Sequence, residues 1–271
     1  MHHLFTYALH LADNSLILGQ RNAEWTGHGP VLEQDIAITN ISLDLIGQAR
    51  NFYQYAVSVF NKMSESEKQH IDKLLPRPWK SFNRPLEEDD LAMLRDENQY
   101  RNLLICELPK GDWAYTTLRQ FFFSTYQYFL FQSMVNGPDK ELAAIAEKSL
   151  KETAYHVRWS GEWVIRLGDG TDESRARILT TLTDVWMFTG EMFEDSDFEN
   201  EMQSIAIQSN SDDIRKKWKE KINSVFSEAG LELPQAPAFQ SGGKHGVHTE
   251  YMGYLLSEMQ YLQRTFPNAT W

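Results

Sequence analysis

The chain has 271 residues, a formal net charge of −12 and one cysteine, Cys106. The negative field disfavours nucleic acid and anionic lipid as partners. A lone cysteine excludes an internal disulfide and any zinc or iron–sulfur site built on cysteines. With 42% hydrophobic residues, 8 Trp, 15 Phe and 11 Tyr, the composition provides for a sizeable core and leaves aromatic area for a partner surface.

The opening stretch, MHHLFTYALHLADNSL, lacks the basic start and long apolar run of a signal peptide, which predicts a cytoplasmic location. A first helix is expected over roughly residues 4–24, closed by the breaker cluster TGHGP. Over 31–60, Ile38, Ile41, Leu45, Ala49, Phe52, Ala56 and Val59 fall in steps of three and four, one apolar face of a long helix. Pro30 suits its first turn. Residues 60–90 turn polar, carry Pro76, Pro78 and Pro85, and read as a short helix followed by a loop. A helix is expected to resume at Glu88 and run to about Cys106, where LPKGD breaks it. Residues 112–136 form a helix that is apolar nearly all round, the pattern of one buried on every side. Its apolar run, 121–135, is interrupted by Ser, Thr and Gln and is too short to span a bilayer. A helix over 139–167 follows, with Gly168 as its expected C-cap. Further helices are expected over 172–195, 211–229 and 249–265, with a Pro- and Gly-rich loop at 233–247. No strand-type alternation occurs. The expectation is an all-α bundle in one domain, 1–271.

Carboxylate-bridged di-iron bundles need a Glu from each of two helices and a Glu-x-x-His from each of two others. Three residues is about one helical turn, so carboxylate and imidazole converge on one point. Of the 8 His, only His70 has a glutamate three residues back, Glu67, and it lies in the polar stretch SESEKQHIDK, which reads as an exposed turn. In KETAYH, Glu152 and His156 stand four apart and share a helix face. They read as metal ligands or as a polar pair that satisfies itself, and the second reading is preferred because the facing helices offer too little. The 112–136 helix has only Asp112, at its start, and mid-helix holds Ser124 and Gln127. On the 31–60 helix Asp44 is the best-placed carboxylate, but Gly47 follows it. Glu24 with His28, and His245, His248 and Glu250 as a zinc trio, are weaker candidates. Thr249 is expected as the N-cap of the last helix. Cys106 next to Glu107 lacks the electropositive setting of a nucleophile.

The blocks EWTGHGPVLEQDI (24–36), LKETAYHVRWSGEWVIRLGDGTDES (150–174) and GGKHGVHTEYMGYLLSEMQYLQR (242–264) resemble the PaaC family, the C subunits of bacterial ring-1,2-phenylacetyl-CoA epoxidases. The likeness covers essentially the whole chain. It implies a ferritin-like four-helix bundle with additional helices. It also implies a non-catalytic structural subunit that pairs with and supports a catalytic A subunit, self-associates within the hetero-oligomer and holds no cofactor of its own. The di-iron centre is expected in the A subunit, a reductase supplies electrons from NADPH, and the complex converts phenylacetyl-CoA to its ring 1,2-epoxide. The resemblance brings no catalytic residue with it. Asp44–Gly47 and Glu152–Tyr155 look like the two Glu-x-x-His positions with both imidazoles missing, so Asp44, Glu152 and His156 stand as relics or fallback ligands. The stretch 60–90 departs from the family in length and proline content. Rival readings are a ferritin-like oxygenase or oxidase using those three residues, and a helical acyl-CoA-binding protein.

Overall fold

The structure is a computed structural model and describes residues 1–267 and 269. Its helices are α1 (His2–Ala23), α2 (Leu32–Asn61), α3 (Glu65–Ile71), α4 (Glu88–Met93), α5 (Leu104–Glu107), α6 (Trp113–Met134), α7 (Lys140–Gly168), α8 (Asp172–Trp186), α9 (Asp197–Ser204), α10 (Ser211–Glu228), α11 (Glu250–Met259) and α12 (Tyr261–Thr265). No strand occurs among the described residues.

Side-chain ties fix how the four long helices run. Ser42 donates to Gly19 O at 2.6 Å and Tyr53 to Asp13 at 2.5 Å, so α1 and α2 are antiparallel. Tyr7–Met134, Ser15–Gln127 and Asn22–Gln120 tie α1 antiparallel to α6. Tyr55–Asp139 and Gln48–Glu152 do the same for α2 and α7. Hence α2 runs parallel to α6, and one long crossover, residues 62–112, joins them. Two antiparallel hairpins joined by a single long crossover make the ferritin-like bundle. α8 and α10 pack on the outer face of the α6–α7 pair. α6 is therefore covered on nearly all sides, and Ala114 through Gln127 are almost uninterruptedly buried, which accounts for its lack of a polar face.

Helix starts follow sequence chemistry. Asp112 accepts from Tyr115 N and Asp139 from Leu142 N, both at 2.9 Å, each satisfying an N–H that has no partner within its helix. Pro30 lies ahead of α2, whose N-cap is Val31. Gly168 is the last residue of α7, not a left-handed cap. A Cβ there would stand 2.5 Å from Ala229 O, so glycine lets the ends of α7 and α10 close together.

Three expected helices are altered. The 88–106 helix breaks after Met93 and resumes only at Leu104. Between them, backbone N–H groups leave the helical ladder for side chains: Arg101 N donates to Asp13 at 2.7 Å, Leu103 N to Asn14 at 2.7 Å and Leu104 N to Glu191 at 2.8 Å. The 172–195 helix stops at Trp186. After it, Thr189 Oγ1 donates back to Trp186 O, and Glu191 becomes an acceptor for two other segments. α9 is an additional helix, opened by a capping box in which Ser196 and Glu199 satisfy each other's backbone N–H groups. The last helix divides at Gln260, whose amide donates to Arg95 O and Tyr100 Oη.

Candidate functional site: the polar centre of the bundle

The helix registers place four polar side chains at one level, one from each long helix. Gln127 Nε2 of α6 donates to Ser15 Oγ of α1 at 3.2 Å, and Gln48 Nε2 of α2 donates to Glu152 Oε2 of α7 at 2.9 Å. One turn beyond, Phe52 and Phe131 close the level, their rings 5.7 Å apart. One turn to the other side, His156 Nε2 donates to Asp44 Oδ2 at 3.0 Å. The His156 side chain is fully buried and that of Asp44 is 36% exposed.

Asp44, Glu152 and His156 are thus brought into one region, with different partners from those expected. Glu152 and His156 do not bond to each other along α7. Each reaches across to α2, because the ring and carboxylate meet α2 acceptors and donors in a shared groove. Tyr155 stands at the surface, 36% exposed, its ring near His156 and under the Arg158 guanidinium. An imidazole there would share that surface setting, so the inward imidazole is one residue later than the Glu-x-x-His spacing assigns. Gly47 is open, with nothing within 4 Å of a built Cβ.

The donor set does not fit a di-iron centre. α1 and α6 contribute Ser15 and Gln127, both neutral, where the chemistry requires a carboxylate from each. The α1 carboxylate, Asp13, is spent on Arg95, Tyr53 and Arg101 N. Asp112 is occupied as the α6 cap and by Arg177. What remains is Asp44, Glu152 and one imidazole, too little anionic charge for two iron ions. Among the described residues no group of three or more His, Cys, Asp or Glu is placed to hold a metal ion. Several buried polar atoms at this centre have no partner among the described residues, among them Gln48 Oε1, Gln127 Oε1, Ser149 Oγ and His156 Nδ1.

The other candidates are dispersed. Glu67 caps α3 with Ser64 and pairs with the Met1 amine, while His70 donates to Ser66 O. Glu24 pairs with Arg21, and His28 is exposed. His245, His248 and Glu250 do not converge. His248 turns inward to Glu107, and Thr249 uses its backbone N–H on Glu107 at 2.5 Å and makes no side-chain cap. Cys106 is fully buried, and burial first, then the Glu107 and Glu191 carboxylates, push its thiol well up, so it stays protonated.

Sequence reading missed the buried charges that hold the crossover. The Arg95 guanidinium, fully buried, forks onto Asp13 and stacks 4.2 Å over the Tyr100 ring. Lys244 pairs with Glu199 at 2.9 Å, both buried. His248 Nδ1 meets Glu107 at 2.8 Å and Nε2 meets Tyr100 O at 3.3 Å. Both ring nitrogens face acceptors, an arrangement that favours the imidazolium. Burial by itself lowers its pKa, and the Glu107 contact overrides that and raises it. The legible signal was Asp13 within the apolar stretch of α1, since such a charge must find a partner.

Residues 1–271, the whole chain, match the family described as phenylacetic acid catabolic protein. A curated relative, the C subunit of 1,2-phenylacetyl-CoA epoxidase from Escherichia coli (strain K12), is 39% identical over 271 residues, covering 100% of this chain and 100% of that protein. The bundle, its single long crossover and this end-to-end match agree, and the chain belongs to the phenylacetic acid catabolic protein family.

Proposed function

We propose that this chain is a subunit of a multicomponent epoxidase that acts on phenylacetyl-CoA in phenylacetate catabolism, and that its role there is structural. In this reading it pairs with and stabilises a cytoplasmic catalytic A subunit that carries the di-iron centre, and it performs no oxidation itself. The observation that carries the reading is the central level of the bundle. Ser15 and Gln127 stand where two carboxylates are required, and Gln48 is bonded to Glu152. A level closed by the Gln127–Ser15 and Gln48–Glu152 hydrogen bonds and by the Phe52–Phe131 ring contact supports a bundle held together without a metal.

Identity along the full chain to a protein named as a subunit supports membership of such a complex. So does the outward face of α2, where Leu32 is 72%, Ile36 51% and Leu43 60% exposed in one stripe. Exposed apolar side chains repeated along one helix face are the kind of surface that a protein partner can cover.

The test is co-expression with the catalytic subunit in iron-supplemented medium. The expected result is co-purification, well under one iron per chain when this chain is purified alone, and epoxidation by the complex that survives Glu152→Ala and His156→Ala. A second reading, a metal-dependent oxidase at Asp44, Glu152 and His156, draws on the unpartnered Nδ1 of His156. Close to two irons per chain, lost in His156→Ala, would establish that reading and overturn the first.

A further inference from the structure

Away from the bundle centre, the start of α1, the end of α3, the crossover and the loop before α11 enclose a pocket of about 210 Å³. Its walls gather His2, His3, His70, His245, Lys73 and Arg101. The His2 ring lies 4.1 Å from that of His3 and stacks 5.2 Å from that of His70. In a chain of net charge −12, seven basic side chains from four separate segments line this pocket, the seventh being Lys244.

Arg101 is the unusual member. It is only 7% exposed. Its Nη1 donates to Asn98 O at 2.9 Å and to Tyr100 O at 2.6 Å, and it forms no ion pair among the described residues. Asp13 is the neighbouring carboxylate, and it is committed to Arg95. Burial, and after it the Arg95 charge, bring the Arg101 guanidinium down to about 10. A buried cation without a counter-ion is costly, and a bound anion offsets that cost. The other charges facing the pocket do not supply one. Lys244 is held by Glu199, Glu67 is held by the Met1 amine, and Asp197 is an exposed carboxylate at the rim.

We propose that this pocket binds a phosphate group, with Arg101 as its buried anchor and Lys73, His70 and His245 closing over it. Donors that arrive from several directions match a tetrahedral anion that accepts on every side, whereas a planar carboxylate is satisfied by a single fork. The site is independent of the epoxidase reading.

The experiment is calorimetric titration of the full chain with inorganic phosphate and, in parallel, with AMP, against sodium chloride at matched ionic strength. Saturable binding of one phosphate per chain is expected, weakened about tenfold or more in Lys73→Ala/His245→Ala, a loss of two charge-assisted contacts. Both of those residues are exposed, so that variant keeps its fold and decides the question even where Arg101→Gln does not fold. AMP binding tighter than phosphate identifies an organic phosphate as the occupant, and equal or weaker AMP binding identifies free phosphate. Either supports the site. Heats indistinguishable from sodium chloride, or phosphate binding unchanged in the double variant, would overturn the proposal.

Discussion

Asp13→Asn tests how the crossover is anchored. Asp13 accepts from Arg95 Nη1 and Nη2, from Tyr53 Oη and from Arg101 N. Both ion-pair side chains are fully buried. The substitution leaves the Arg95 guanidinium charged and unpaired in the core, because burial alone would lower its pKa and the Asp13 carboxylate is the main influence raising it. Removing one partner of such a pair costs about 3–5 kcal/mol. That is a fifth or more of the roughly 5–15 kcal/mol that keeps a domain folded, and at about 2–4 °C per kcal/mol it lowers Tm by roughly 6–20 °C. Urea unfolding followed by circular dichroism gives the free energy, with an unchanged m-value confirming a native-state effect. Hydrogen exchange is expected to localise it, with the Arg101 and Leu103 amides losing protection. Asp13→Leu/Arg95→Met removes both charges and should recover most of the loss. A single-variant loss below about 1 kcal/mol, the scale of a surface pair, would refute the reasoning.

Other outcomes follow from particular side chains. Gly243→Ala drives a Cβ into Asn102 O, a backbone atom that cannot rotate away, and should cost about 1–3 kcal/mol in the same unfolding assay. Gly47→Ala meets nothing within 4 Å in mid-helix and should instead stabilise the isolated chain by about 0.5–1 kcal/mol. His248 has a folded pKa raised above its ordinary value of about 6.5. Its contribution to stability is therefore complete below the unfolded pKa and is lost as pH rises through the folded one. His248→Gln should flatten that part of the stability-versus-pH curve, and a slope identical to that of the parent would show that the imidazolium–Glu107 contact does not contribute.

The sequence by itself determined the long helices and the poverty of the bundle centre. Helix formation is local and periodic, so α1, α2, α6 and α7 lie within about two residues of the expected spans, and Asp112 and Asp139 cap as their neighbours require. The absence of any carboxylate within α6 is a property of the string, visible before any folding. Only the tertiary structure decided the rest. The 88–106 stretch has helical composition, yet Asp13, Asn14 and Glu191 take its N–H groups from distant positions, and the two buried carboxylates among them outcompete an i−4 carbonyl. His156 chose Asp44 over Glu152, and His248 chose Glu107 over His245, because the partner of a buried ring is set by which helix packs against it. The histidine pocket arises in the same way: His2, His70, Arg101 and His245 are remote in sequence, and only the path of the crossover across the end of the bundle brings them together.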